Sequence, residues 1–208
     1  MTIGDKAHWE RRYGSGAPES LSWFEAEPTA SLALLDRAAL SISSHVIDVG
    51  GGASRLVDHL LDRGLRHVTV LDIASAALAA ARSRLGPLAD AVTWCEADVL
   101  TASFAPDSYD LWHDRAVFHF LTAAEDRARY VAQLSLALRP GGSLVIGTFA
   151  EDGPSRCSGL DVERYTPEKL EDSLGSEFEL CDVVRHAHPT PMGSVQSFLY
   201  TRWKRSGG

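Results

Sequence analysis

Between residues 45 and 150 short apolar runs alternate with helix-patterned segments, and this alternation constrains the fold more than any other feature of the chain. After a first run ending in VIDV come HVTVLDI (67–73), AVTWCEAD (91–98), YDLWHD (109–114) and SLVIGTFA (143–150). Each is nearly continuous in apolar residues, as expected of a strand covered by helices on both faces. SRLVDHLLDRG (54–64) carries Leu56, Val57, Leu60 and Leu61 at helical spacing and stops at Gly64. The Ala-rich ASAALAAARSRLG (74–86) opens on Ser75 as a candidate cap, and AEDRARYVAQLSLALRPGG (124–142) reads as one long amphipathic helix. The pattern predicts a doubly wound α/β sheet. A short helix is expected over 167–175, then two strand-like runs, 178–188 and 194–204, flanking PTPMG as a hairpin. Ahead of the sheet, DKAHWERRY and TASLALLDRAA predict a helical cap within 1–44. No Pro/Gly/Ser linker splits the chain, so one domain over 1–208 is expected.

Composition narrows the class of partner. With 45% hydrophobic residues in 208 the chain can bury a core. No window approaches eighteen consecutive apolar residues, so no membrane-spanning helix is expected. MTIGDKAHWERRY lacks the layout of a signal peptide, and Cys95, Cys157 and Cys181 lack paired spacing. A reducing cytoplasm is the expected setting, with neither a disulfide framework nor a zinc cluster. Cys95 and Cys181 fall in strand patterns and are expected in the core, with Cys157 a passive small residue. Formal net charge is −8, and the 20 basic residues are scattered, which disfavours nucleic acid.

The stretch VIDVGGGASRL (46–56) places three glycines after the first strand, where ligands of such sheets sit. A phosphate loop would require a Lys that is absent. The dinucleotide fingerprint begins with Gly50 and Gly52 but has Arg55 at its third glycine position, too bulky for close helix–strand packing. Asp48, two before the glycines, repels a pyrophosphate and suits an ammonium. S-adenosylmethionine has such an end, and DVGGG is D-x-G-x-G at 48–52. Asp72, closing the second strand before Ile73, can accept from both ribose hydroxyls. Asp98, closing the third, is placed for the adenine amine, with the Val99 N–H available to a ring nitrogen.

Together Asp48-Val49-Gly50-Gly51-Gly52, Asp72, Glu96-Ala97-Asp98, YDLWHDRAVFHFL and LRPGGSLVIGTF resemble the successive motifs of class I S-adenosylmethionine-dependent methyltransferases. The resemblance covers 45–150 closely and implies a seven-strand, mostly parallel sheet with the last strand antiparallel. It implies S-adenosylmethionine as cofactor, S-adenosylhomocysteine as product, and an acceptor loop within 151–208. It also implies that Asp114 and Arg115 lie at the cofactor's amino-acid end. The opening HWERRYGSG…LSWFE resembles a subset holding small protein-lysine methyltransferases and bacterial small-molecule enzymes, in which a Trp/Tyr segment covers the cofactor. Trp9 and Tyr13 are therefore expected in a lid.

Methyl transfer is an in-line displacement, so an enzyme must align the acceptor and, for many acceptors, remove a proton. The residues after the fourth strand lie nearest, which makes His113 and His119 the candidate bases. HDRA is not the Asn/Asp-Pro-Pro-aromatic motif of one amino-group branch, which disfavours nucleobases and amides. A small-molecule acceptor is expected, with a protein lysine as alternative and a silent cofactor-binding sensor as another. No metal ligands are assigned.

Overall fold

A computed structural model describes residues 5–207. The first four residues of the expected cap and Gly208 lie outside the described residues. Among the described residues nine strands form: β1 (His45–Val49), β2 (His67–Asp72), β3 (Val92–Glu96), β4 (Tyr109–Arg115), β5 (Leu138–Phe149), β6 (Arg156–Cys157), β7 (Leu160–Asp161), β8 (Phe178–Pro189) and β9 (Val195–Arg205). Six α-helices accompany them there: α1 (Lys6–Gly14), α2 (Thr29–Asp36), α3 (Leu56–Asp62), α4 (Ser75–Leu85), α5 (Ala124–Ala137) and α6 (Pro167–Leu174).

Seven strands make one sheet in the order β3-β2-β1-β4-β5-β9-β8, with β6 and β7 a separate small pair. The strands from β3 to β5 run parallel, and β9 runs antiparallel to both β5 and β8. The chain winds outward from β1 to β3, then returns to β4 on the other side of β1. The strand order thus reverses between β1 and β4, and such a switch point opens a crevice beyond the strands' C-terminal ends.

Strand periodicity sorts the side chains into two cores. On one face Val46, Leu111 and Val145 pack with α2, α3 and α4 through Leu34, Leu56, Leu60 and Leu78. On the other Ile47, Trp112 and Ile146 pack with α5 and α6 through Tyr130, Leu134 and Leu170. This double cover is why the parallel strands read as continuous apolar runs.

Two boundaries differ from the sequence reading. Helix α5 stops at Ala137, and LRPGG belongs to β5. Tyr109 pairs with Leu138, then the register shifts before Leu111 meets Ser143, so the turn-like residues occupy an irregularity of the strand pair. Helix α4 has Ala74 as its N-cap residue, without a side-chain cap, and Ser75 lies inside the helix. Cys95 packs partly buried against the second core, whereas Cys181 is exposed on β8, an edge strand whose residues alternate in burial.

Leu60 is wholly buried while Val183 on β8 is 45% exposed. Leu60→Ala is expected to cost about 2–5 kcal/mol through lost burial and the cavity left behind. Val183→Ala should shift the denaturation midpoint far less; equal shifts would contradict this assignment of the core.

Candidate cofactor site at the switch point

The site grows from the end of β1. Asp48 pairs in register with His113 of β4, and both project to the α2 side of the sheet. Asp48 Oδ1 lies 2.7 Å from His113 Nδ1, and His113 Nε2 lies 2.9 Å from Ser31 Oγ on α2. Nδ1–H donates to one carboxylate oxygen, and Nε2 shares a hydrogen bond with the serine hydroxyl. Asp48 Oδ2 is buried without a hydrogen-bond partner among the described residues. Above it, a Cβ on Gly51 would sit 2.5 Å from that same oxygen. Gly50 has φ +65°, and its Cβ would strike Val117 at 2.1 Å. Backbone therefore passes directly over an unneutralised carboxylate oxygen.

Next to this turn, the C-terminal ends of β1, β2 and β4 border a cavity of about 390 Å³. Gly50, Asp72, Ile73, Asp98, Val99 and Arg115 line it, as do Trp9, Tyr13, Trp23, Phe120 and Cys157. A smaller cavity, lined by Asp48, Gly51 and His113, shares Tyr13, Trp23, Gly50 and Arg115 with it. Gly52 lines neither, and a Cβ on it would meet Asp72. Asp72 Oδ1 accepts from the Ala74 N–H at 2.8 Å. Burial raises the Asp72 pKa from 3.8 to about 7, the Ala74 hydrogen bond opposes this, and the Asp48 charge adds to it. Asp98 Oδ1 accepts from the Leu100 N–H at 2.9 Å, which turns the chain so that residues 98–101 line one end of the cavity.

Helix α1 covers the cavity. Its Glu10 accepts from the Ser75 N–H (2.7 Å), the Ser75 hydroxyl (2.8 Å) and the Ala76 N–H (3.1 Å), filling the cap that Ser75 does not supply. Lys6 pairs with Glu96 at the end of β3. Trp9 packs edge-on against Phe120 at 5.1 Å and Trp23 at 6.1 Å, and Tyr13 meets Trp23 at 6.1 Å. Burial, then the Asp72 charge, pushes the Tyr13 hydroxyl pKa well up.

Three expected site residues take other positions. Asp114 faces the α5 side, lines neither cavity, and accepts from the Val117 and Phe118 N–H groups and from the Tyr130 hydroxyl at 2.6 Å. Burial raises its pKa to about 6, and these donors hold the turn after β4. His113 lies behind Asp48 with both ring nitrogens engaged. His119 is fully buried between Phe120 and Phe149 and lines neither cavity. Its Nδ1 accepts from the Phe149 N–H at 3.3 Å; burial, then Arg115, lowers its pKa to about 3, so the ring stays neutral.

Arg115 does line both cavities, yet its guanidinium is engaged by protein groups. Nε donates to Tyr200 Oη at 2.7 Å, Nη1 to the Trp23 carbonyl at 2.6 Å, and Nη2 lies 3.2 Å from Glu25 Oε1. Glu25 and Glu10 escaped the sequence reading because each acts on an element far away in the chain. Cys157, expected to be passive, stands in the cavity wall.

Residues 46–142 match the family model of a methyltransferase domain. That span is similar to methyltransferase domains, and it holds β1, from Val46, through β4, with the glycine turn and Asp48, Asp72 and Asp98, which border the cavities. Over 123 residues the chain is 32% identical to the ubiquinone/menaquinone biosynthesis C-methyltransferase UbiE of Paracoccus denitrificans. That alignment covers 57% of this chain and 48% of the relative, so the chain spans about half the length of the curated relative it matches. The fold superposes on the 1,6-didemethyltoxoflavin-N1-methyltransferase of Burkholderia thailandensis, solved with 1,6-didemethyltoxoflavin and S-adenosylhomocysteine bound. The TM-score is 0.75 at 22% identity, covering 97% of this chain and 87% of that one. It also superposes on the [4+2]-cyclase SpnF, with TM-score 0.70 at 16% identity, covering 97% of this chain and 92% of that one.

The residues present fit S-adenosylmethionine, the cofactor that the sequence motifs imply. Asp48 offers an unpaired buried carboxylate oxygen to an ammonium, the glycine backbone leaves room beside it, and Asp72 offers acceptors to a ribose.

Two predictions follow from these contacts. Asp72 binds its proton more tightly in the folded protein than in the unfolded chain. Its contribution to stability is therefore full below about pH 4 and is lost as pH rises through about 7. Asp72→Asn should flatten the stability–pH profile of the ligand-free protein over that window, and an unaltered profile would contradict the buried, protonated acid. Glu10→Ala should speed amide exchange across Lys6–Gly14 while exchange in β1 and β4 stays slow. Unchanged exchange in α1 would show that Glu10 does not hold the helix down.

Proposed function

We propose that the protein transfers the methyl group of S-adenosylmethionine to a small-molecule acceptor. The observation that carries this reading is the covered aromatic end of the cavity, where Trp9, Trp23 and Phe120 stand with Cys157. Helix α1 lies over that space, tied to α4 by Glu10 and to β3 by Lys6, so the enclosed volume suits a compact acceptor better than a polypeptide segment. Two relatives bear the names of small-molecule methyltransferases, which supports the same class.

When bound, the cofactor supplies an electrophilic methyl group open to in-line displacement. The chain's own residues bind and align. Asp48 receives the ammonium, Asp72 the ribose hydroxyls, and Asp98 with the Val99 N–H the adenine edge. His113 acts through Asp48, holding its carboxylate in one orientation, and Arg115 fixes the segment that carries Trp23. With His119 neutral and sealed in the core, no histidine is positioned as a base. The acceptor is therefore one whose attacking atom is nucleophilic without histidine assistance. Most of the rate enhancement then comes from alignment and from excluding water beneath α1.

Methyl-labelled S-adenosylmethionine incubated with the protein and a cell extract should place label in the small-molecule fraction. Label in lysine side chains would replace this reading with protein methylation. Tight binding without label in any pool would leave a binding protein, and the SpnF cyclase demonstrates that this fold also serves other chemistry. Asp72→Ala should weaken S-adenosylhomocysteine binding in calorimetry by about 1–3 kcal/mol; unchanged affinity would remove Asp72 from the ribose.

A further inference from the structure

On β8 the sequence RHAHP sets His186 and His188 two residues apart, which places both side chains on one face of the strand. The loop before α2 brings Glu25 to that face. His186 Nε2 and His188 Nδ1 each lie 3.2 Å from Glu25 Oε1. The three side chains are shielded, at 9% exposure for Glu25, 24% for His186 and 2% for His188.

The hydrogen positions decide what this cluster lacks. His188 Nε2 lies 2.8 Å from the Ser22 backbone carbonyl, which can only accept, so Nε2 carries the hydrogen. In a neutral ring Nδ1 is then a bare lone pair. It is buried with no hydrogen-bond partner among the described residues, and it faces a carboxylate oxygen. Two acceptors turned toward each other call for a positive charge between them. An imidazolium–carboxylate hydrogen bond would close to about 2.7–2.9 Å. Ligands bonded at about 2.0–2.1 Å around a tetrahedral ion are instead about 3.3 Å apart, close to the two separations found. The Nε2–H to backbone-carbonyl contact is also the arrangement that orients a metal-bound histidine.

We propose that Glu25, His186 and His188 form a binding site for a divalent cation of the zinc class. Two imidazole nitrogens and one carboxylate oxygen favour Zn²⁺ over Mg²⁺ or Ca²⁺, which prefer all-oxygen shells. Arg115 approaches the same Glu25 oxygen at 3.2 Å and weakens the attraction for a cation. Glu25 Oε2, buried and without a hydrogen-bond partner among the described residues, gives the carboxylate a second oxygen to offer. The ion ties the segment bearing Ser22, Trp23 and Glu25 to β8, and through Glu25 it bears on Arg115 in the cavity wall. The site does not depend on the methyl-transfer reading.

The test is calorimetric titration of metal-stripped, full-length protein with ZnCl₂, paired with thermal denaturation. About one Zn²⁺ per chain should bind and raise Tm, while MgCl₂ does neither. His188→Gln should abolish that equivalent, as should His186→Asn, the least buried of the three positions, which tests the site should the first variant fold poorly. His45→Gln should retain it; His45 stacks on His67 at 4.3 Å at the opposite ends of the strands and controls for surface binding. No stoichiometric uptake, or an equivalent that survives both site variants, would overturn the proposal. A wild-type Tm insensitive to Zn²⁺ but falling with rising pH, and losing that dependence in His188→Gln, would replace the metal with an imidazolium.

Discussion

A carboxylate buried under a backbone turn organises this protein. Asp48 has been taken out of water at the end of β1, which is costly unless its charge is met. One oxygen is met by His113, itself held by Ser31, so one hydrogen-bond chain fastens β1, β4 and α2 at the place where strand order reverses. The other oxygen is left unmatched beneath Gly51, where any side chain would collide with it. A fold that keeps a half-satisfied acid in its interior is suited to a cation, and the amino group of S-adenosylmethionine is the one proposed above. The crevice, the glycines and the hydrogen-bonded histidine are parts of one arrangement.

Two buried aspartates illustrate how environment separates roles. Asp72 and Asp114 both hold their protons more tightly than an exposed carboxylate does, and burial is the main cause in each. Asp114 is surrounded by donors from its own turn and from Tyr130, and its capacity is used within the protein. Asp72 borders a cavity, and its carboxylate accepts from the Ala74 N–H. The first is a structural acid that secures the exit from β4; the second keeps acceptor capacity for a ligand.

The sheet was legible because its signals are local. Apolar runs, glycines after the first strand and acids closing the second and third can all be read within a few residues. Asp114 was misplaced although the signal was available: with strand period two, Leu111, His113 and Arg115 share one face and Trp112 and Asp114 the other. His119 was misjudged because nothing nearby in the sequence reveals that Phe149 and Phe120 enclose it. The Pro-Gly-Gly run in β5 looked like a helix stop because its local chemistry is that of a turn, and only pairing with β4 makes it strand. The Glu25 cluster was out of reach, since its members meet only after the cap and the last hairpin have packed together.

Helix α1 is seated on the N-terminus of α4, and the residues that seat it, Ser75 and Ala76, follow closely on Asp72. Cover and Asp72 thus share one stretch of backbone. A change on the cap, although remote in sequence from β2, reaches the part of the cavity that Asp72 lines. Variation within Lys6–Gly14 would therefore tune how long a molecule held beside Asp72 is retained, as well as how the cavity is covered.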